Sequence, residues 1–253
     1  MLAHDGIVVA ADAQESDQYY KRSQQKIFTL QHAGMGNNQV PPSYAFAITG
    51  AGEAGYVDAY ISFVLRDLPG TTHKEFEDAL RTKTLQFYQD NIFPLAAARQ
   101  PPEIQMLIGA SLQGHALMFA SYGSTIRRSL PHAAVGIGAH FALSLIDELN
   151  DIWDIKRTEL VAAYIISATK DRIEGCGKIT DIVSLRNWNP EKGPDGKLRL
   201  VPPDPLLMRV PQQKIERWEE SFKTRWAPRQ AQLFTTMLEE EVGTDCPPSD
   251  PQK

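Results

Sequence analysis

The sequence predicts an α+β fold in which strands and helices are grouped instead of alternating. Short apolar or alternating segments come first, two helical stripes follow, and a second group of strands, two more helices and a closing strand complete the order. The turns at Gln113-Gly114 and Tyr122-Gly123 separate the middle strands, as in an antiparallel meander. Repeated βαβ units would instead alternate each strand with a helix.

The first half of the chain supplies three predicted strands and two predicted helices. The run from Ile7 to Ala11 is apolar and partly β-branched and ends at Asp12, which is typical of a buried strand. A polar passage separates it from the alternating segment 26–30, and we expect these two strands to form a hairpin-like pair. A third strand is predicted over 43–49. The helical stripes consist of Val57, Tyr60, Ile61, Val64 and Leu65, and of Phe76, Leu80, Thr84, Phe87 and Tyr88, the second helix ending near Phe93-Pro94.

The second half contains short strands, two helices and a closing strand. Strands are predicted over 104–108, 116–120, 124–126 and 133–138, helices over 141–149 and 158–173, and the closing strand over 179–185. This order completes two groups of strands and two helix pairs.

The C-terminal quarter differs in composition from the rest of the chain. Ten of the 17 prolines lie between Asn189 and Lys253. Between the proline clusters, residues 212–241 carry apolar side chains among many charges and predict one or two amphipathic helices, interrupted at Pro228. We therefore predict a main domain over 1–188, a Pro-rich linker with an amphipathic helical extension over 189–243, and a disordered tail over 244–253.

The composition excludes several classes of function. The 253 residues include 26 Lys and Arg against 31 Asp and Glu, so the clustered positive charge that nucleic acid binding requires is missing. No apolar run reaches the length of a membrane helix and the N-terminus lacks signal-peptide features, so we expect a soluble, cytoplasmic protein. Two distant cysteines, Cys176 and Cys246, predict neither a disulfide nor a metal site, and no cofactor is expected.

A formal GxGxxG motif, Gly50-Ala-Gly52-Glu-Ala-Gly55, stands between a predicted strand and a predicted helix. In a dinucleotide-binding fold, such glycines bring the backbone and the helix N-terminus to a pyrophosphate. That fold also needs a second parallel strand after the helix, whereas Leu68-Pro-Gly70 leads here into another helix. We therefore favour a tight strand-to-helix turn, with nucleotide binding through Gly50, Gly52 and Gly55 as the alternative.

Asp12 and Lys26 are the most suggestive pair of charged residues. Asp12 follows one predicted strand and Lys26 begins the next, so their side chains can meet across the pair. An exposed ion pair with no function is one interpretation. The other is a partly buried lysine that is held by the aspartate and lowers the pKa of a neighbouring amine or hydroxyl group.

Three further features have a structural and a functional interpretation. The turn Gly136-Ile-Gly138 precedes a helix, where backbone N–H groups can stabilise an oxyanion, so Gly136 and the earlier glycine-turn residue Gly50 are candidate donors. A packing turn is the alternative for both. His140 has no metal-ligand spacing to a second residue, and Cys176 has no evident base, so we predict structural roles for these two side chains.

Taken in order, five segments resemble the proteasome β-type branch of the N-terminal-nucleophile hydrolases. They are Asp5-Gly-Ile-Val-Val-Ala-Ala-Asp12, Lys26-Ile-Phe, Ile48-Thr-Gly-Ala-Gly52, Gly136-Ile-Gly138 and Thr180-Asp-Ile-Val183, and the resemblance covers residues 5–186. It implies a bacterial proteasome-like protein with a four-layer αββα sandwich, to which the C-terminal extension is added. It also implies ring-shaped homo-oligomers of like subunits and peptides or other amides as substrates.

The resemblance also implies a mechanism. In that family the nucleophile is an N-terminal threonine, occasionally serine or cysteine, whose own α-amine is the general base. The family's acid falls on Asp12 and its catalytic lysine on Lys26, whose charge makes the amine easier to keep neutral. The threonine would lie about five residues before Met1. We therefore expect a threonine-type peptidase domain that is inactive when its chain starts at Met1.

The supporting residues of that family are replaced in this sequence. Its serine in the glycine turn falls on Ile137, and its aspartate and serine after the fourth helix fall near Ile173 and Cys176, with Glu174 as a possible substitute for the acid. The presence of Asp12 together with its lysine favours a catalytic protein with a threonine-bearing strand upstream. The lost supporting residues favour a non-catalytic, ring-forming structural subunit.

Overall fold

A computed structural model of the protein describes residues 1–12, 14–16, 21–23, 26–32, 44–66, 68, 72–97, 100–128, 131–149, 153–177, 179–192, 198–201, 203 and 205–226. The elements of the first half are β1 (Leu2–Ala3), β2 (Gly6–Asp12), β3 (Gln14–Ser16), β4 (Lys21–Ser23), β5 (Phe28–His32), β6 (Tyr44–Gly52), α1 (Ala54–Leu65) and α2 (His73–Asn91), followed by a 3-10 helix over Phe93–Ala97. Those of the second half are β7 (Ile104–Leu112), β8 (His115–Tyr122), β9 (Thr125–Arg128), α3 (Ala139–Leu149), α4 (Ile155–Arg172), β10 (Thr180–Arg186), β11 (Asn189–Lys192), β12 (Leu198–Val201), β13 (Leu207–Arg209), α5 (Gln212–Ser221) and a π-helical turn over Phe222–Trp226.

The fold is α+β and contains two larger antiparallel sheets. The first sheet, which we call the meander, has the strand order β5-β6-β7-β8-β9. Its strands β7, β8 and β9 are those predicted to form an antiparallel meander, and β5 and β6 extend it. The second has the order β1-β2-β10-β13. Its register places Thr180, the first residue of β10, opposite Asp12, the last residue of β2. The remaining described strands form the two-stranded pairs β3-β4 and β11-β12.

Apolar side chains pack between these sheets and the helices. The helices α1 and α2 pack on the meander through a cluster that includes the fully buried rings of Tyr60 and Phe76. Successive side chains of a strand point to opposite faces of its sheet. Accordingly, Ile7 and Val9 of β2 pack in the cluster that joins the two sheets, whereas Val8 packs with α4 and α5.

The predicted helices are confirmed, and side-chain caps set two of their starts. The Thr72 side chain accepts a hydrogen bond from the Glu75 amide over 3.2 Å at the start of α2. The Asp154 side chain accepts one from the Arg157 amide over 2.9 Å at the start of α4. Such caps satisfy amides that have no partner within the helix. The predicted end of the second helix near Phe93-Pro94 is also confirmed, since α2 ends at Asn91.

Two predictions about strands are wrong. The strands β2 and β5 do not form a hairpin-like pair, because β2 pairs with β1 and β10 while β5 pairs with β6 in the other sheet. Apolar periodicity identifies a strand but not its partner, which explains the error. Residues 133–138 form no strand either, and this stretch is a loop that ends in the turn before α3.

The C-terminal segment joins the second sheet and α4. The strand β13 pairs with β10, and the Val210 amide then donates to the Ile182 carbonyl over 2.9 Å. Within the stretch 212–241 that was predicted to be helical, the structure has the helix α5 over Gln212–Ser221, which buries Ile215. Residues 227–253, which include Pro228 and the predicted disordered tail, lie outside the described residues. None of the described helices is long and apolar enough to cross a membrane.

Candidate active site

A cavity of about 1030 Å³ opens beside the end of β2. Its walls come from β2, the end of β6 and the start of α1, the turn 136–138 and the C-terminal end of α4. We call it the site cavity. Asp12 and Lys26 both line it, so the structure brings the two sequence-predicted residues into one wall.

Asp12 and Lys26 are in contact. The Lys26 Nζ donates to Asp12 Oδ1 over 3.2 Å, and about a quarter of the lysine side chain and a fifth of the aspartate side chain remain exposed. The second oxygen, Asp12 Oδ2, accepts the Gly177 amide over 2.9 Å. The carboxylate is therefore fixed by an ammonium on one side and by a backbone amide on the other.

The contact arises from the way the chain passes between the sheets. Asp12 ends β2 in the second sheet, and Lys26 stands two residues before β5 in the meander. Ile27, which follows the lysine, is fully buried in the cluster between the two sheets. Lys26 thus lies at the edge of that cluster, and its side chain reaches Asp12.

Cys176 lies in the same wall, although its sequence context predicted only a structural role. Its thiol accepts a hydrogen bond from the Gly138 amide and lines the site cavity. Burial and the negative charge of Asp12 raise the pKa of this thiol, while the Lys26 ammonium and the Gly138 amide act in the opposite direction. Cys176 shortly precedes β10, whose first residue is paired with Asp12, and the sequence carries no signal for this pairing.

The glycine turn 136–138 forms another part of the wall. The Gly136 amide donates to the Gln105 side chain over 2.9 Å, so an oxyanion role for Gly136 would require that bond to break. Gly136 has a φ of +95°. A Cβ added at Gly138 would lie 2.5 Å from Thr169 Cγ2 and 3.1 Å from Cys176 Sγ. Close packing against the end of α4 therefore requires glycine at position 138.

Two glycines of the GxGxxG motif, Gly50 and Gly52, have no room for a side chain in this fold. Gly50 and Gly52 belong to β6, which pairs antiparallel with β5 and β7, and Gly55 belongs to α1. A Cβ at Gly50 would lie within 3 Å of Met106 and Val57 side-chain atoms. The strand pairs of the described part of the chain are antiparallel, so it contains no βαβ unit of a dinucleotide fold.

Three other residues that were considered from the sequence as possible site residues are exposed to solvent. Ile137 lines the cavity but is 72% exposed. Glu174 and His140 are exposed and do not line it. Among the described residues, no group of three or more His, Cys, Asp or Glu side chains is arranged to hold a metal ion.

The α-amine of Met1 is buried on another side of the cavity. It donates to the Val8 carbonyl over 2.8 Å and lies 3.7 Å from the Met118 sulfur. Burial lowers the pKa of this amine from 8.0 to about 5. The cavity thus contains the Lys26 ammonium, which is paired with Asp12. In a chain that begins at Met1, it also contains an α-amine that is uncharged near pH 7.

The fold is proteasome-like. The solved structures that it resembles include Anbu proteins, one of which is described as an ancestral beta-subunit. Anbu from Yersinia bercovieri has a TM-score of 0.66 and 12% identity over 100% of this chain and 98% of that chain. The Gly-1 mutant of Anbu from Hyphomicrobium sp. strain MC1 has a TM-score of 0.65 and 11% identity over 92% and 93%. Anbu from Pseudomonas aeruginosa, described as a helical assembly of the Anbu complex, has a TM-score of 0.63 and 14% identity over 99% and 96%.

These comparisons correct the family assignment made from the sequence. No protein-family model matches the sequence, and no curated protein matches it. The identities to Anbu proteins, 11–14%, show similarity of fold alone. The assignment to the proteasome β-type family as a bacterial proteasome-like protein is therefore wrong, and the resemblance is a distant one at the level of the fold.

Proposed function

We propose that the protein is an amide hydrolase of the N-terminal-nucleophile type that acts in the cytoplasm on peptides or other amides. The observation that carries this proposal is the contact of Lys26 with Asp12 on the wall of the site cavity. The proposal includes the stacking of the two sheets and their helices as a four-layer αββα sandwich, which is supported by the three successive apolar clusters.

The proposed mechanism uses the first residue of a processed chain. A threonine hydroxyl adds to the substrate carbonyl carbon while its own α-amine takes the hydroxyl proton and passes it to the leaving amine. Water then hydrolyses the resulting ester and regenerates the threonine. Lys26 favours the neutral form of that amine through its positive charge, and Asp12 holds the lysine in place.

The second sheet has room for the segment that would carry this threonine. Leu2 and Ala3 of β1 pair with Ile7 and Gly6 of β2, and no described strand continues β1 alongside the rest of β2. In an antiparallel register, a segment of about four or five residues ahead of Met1 would run beside β2 and reach Asp12. This distance agrees with the position that the resemblance implies for the threonine.

The test is a chain extended by five residues that begins with threonine, freed by cleavage of a preceding tag. We expect it to hydrolyse fluorogenic peptide amides, and we expect its Lys26→Met and Asp12→Asn variants to lose about 100-fold or more in kcat. Lys156→Met, which removes an exposed lysine of α4, is the matched control and should retain the activity. Absence of turnover in the threonine-first chain, or turnover that survives Lys26→Met, would refute the proposal.

A second candidate function is a non-catalytic subunit of an assembly of like chains. It is favoured by Ile137, an apolar side chain that is 72% exposed at the position where the resemblance implies a serine, and by the assembly described for the Pseudomonas aeruginosa Anbu complex. Native mass spectrometry of the threonine-first chain separates the two functions. A defined multimer without turnover would select the structural subunit, whereas turnover in any assembly state would select the hydrolase.

A further inference from the structure

Arg209 connects the C-terminal strand to the residue that follows Lys26. Its guanidinium pairs with the Asp181 carboxylate and also donates from Nη2 to the Ile27 carbonyl over 2.8 Å. Arg209 stands at the end of β13 and is aligned with Val183 of β10. One side chain thus binds a strand of the second sheet and the segment that enters the meander.

Both partners of Arg209 are neighbours of the acid–lysine pair. Ile27 directly follows Lys26, and Asp181 directly follows Thr180, the residue opposite Asp12. Arg209 is about one-third exposed and Asp181 is mostly buried, so this ion pair is shielded from water more than a surface pair is. A guanidinium fork can hold two acceptors in a fixed geometry, which a lysine ammonium does less well.

We propose that Arg209 is a positioning residue that holds Lys26 against Asp12 through the Ile27 carbonyl. The importance of this contact for catalysis rests on the proposed function. Arg209 would make β13 part of the candidate site, although more than half of the chain separates this strand from Lys26 in the sequence.

Burial of the Ile27 side chain is the competing explanation for the position of Lys26. If burial alone were sufficient, removal of Arg209 would leave the lysine where it is. If Arg209 is required, its removal takes away the guanidinium donor to the Ile27 carbonyl, and the Lys26 ammonium samples positions away from Asp12. An ammonium held against a carboxylate in a partly buried wall is less accessible to reagents than a free one.

The experiment measures the acetylation rate of Lys26 by an N-hydroxysuccinimide ester of acetic acid, with site quantification by mass spectrometry. Lys156, exposed on α4, is the internal reference. In Arg209→Met we expect the rate at Lys26 relative to Lys156 to rise about fivefold, since a hydrogen bond from a charged group is lost. Lys223→Met is the matched control, because it removes another cation and ion pair from the same C-terminal segment. It should leave the rate at Lys26 unchanged.

An unchanged rate in Arg209→Met, or an equal rise in Lys223→Met, would overturn the inference. Circular dichroism establishes that each variant is folded. If Arg209→Met does not fold, Arg209→Lys replaces it; we expect a rise of about twofold, because lysine lacks the fork, and no rise would overturn the inference. The labelling needs no turnover, so an inactive chain with a raised rate would refute the hydrolase and support the positioning role.

Discussion

Asp12 accepts a hydrogen bond over 2.9 Å from the amide of Gly177, a residue 165 positions later in the chain. This bond joins the end of β2 to the turn between α4 and β10. The same turn carries Cys176 into the site cavity, next to the pair formed by Asp12 and Lys26. The orientation of the carboxylate therefore depends on two distant segments.

The first prediction concerns the reactivity of Cys176. Because burial and the charge of Asp12 raise the pKa of its thiol, the thiolate is scarce at neutral pH and alkylation should be slow. In a Cys246→Ser background, which leaves Cys176 as the single cysteine of the sequence, we expect iodoacetamide to react about tenfold more slowly than with a free thiol at pH 8.

Asp12→Asn supplies the control for that reaction. It removes the negative charge that disfavours the thiolate, so the alkylation rate at pH 8 should increase in this variant. Reaction of the parent at the rate of a free thiol, with no increase in the variant, would contradict the prediction.

The second prediction separates two glycines of the GxGxxG motif. Gly52 has a φ of +116°, and a Cβ there would lie 2.0 Å from the Glu103 carbonyl oxygen. Gly52→Ala should therefore lower the free energy of unfolding by about 3 kcal/mol or more. Gly55→Ala is the matched control, since a Cβ on this helical residue meets nothing within 4 Å. It should raise the free energy of unfolding by about 0.5 kcal/mol. Urea unfolding measures the free energy of both variants, and equal changes would contradict the prediction that only Gly52 is required.

The third prediction concerns the buried carboxylate of Glu159. It accepts a hydrogen bond from Ser184 over 2.5 Å and pairs with Lys214 of α5 at 3.3 Å. Glu159→Ala leaves the buried Ser184 hydroxyl without this partner, so the free energy of unfolding should fall by about 2 to 3 kcal/mol. Glu77→Ala removes an exposed helical pair with Arg81 and should cost about 0.5 kcal/mol. Thermal unfolding that shifts equally in the two variants would count against this role.

The fourth prediction is a pH dependence of stability in a chain that begins at Met1. Burial lowers the pKa of the folded α-amine to about 5, whereas the unfolded amine binds a proton below about pH 8. Between these values the unfolded state binds more protons, so stability falls as the pH decreases from 8 to 5, by at most about 1.4 kcal/mol per pH unit. Urea unfolding of the acetylated chain is the control. Its curve should lack this contribution, and identical pH profiles would disprove the effect.

The sequence predicts well those features that depend on local periodicity. The apolar run that ends at Asp12 and the helical stripe that includes Tyr60 and Val64 both correspond to elements of the structure. The contact between Asp12 and Lys26 was also expected, but for a wrong reason, because their strands belong to different sheets. Asp12 and Lys26 are close because the chain passes from one sheet to the other between them, and not because their strands pair.

Features that depend on long-range pairing were not predictable in this way. Cys176 reaches the site because β10 lies antiparallel to β2, and a single sequence does not state that pairing. The strand β13 has only three residues, too few to show an alternating pattern. The sequence therefore did not predict this strand or a role for Arg209.

The strand β13 also determines how the second sheet ends. It pairs with the edge of β10 that faces away from β2. Next to this strand, the Val210 amide donates to the Ile182 carbonyl, and the Leu206 carbonyl accepts from the Arg186 amide. A chain cut before position 205 would expose that row of amides and carbonyls as an unprotected sheet edge, which is a template for aggregation with other molecules. Removal of this one short strand would therefore make the protein prone to aggregate.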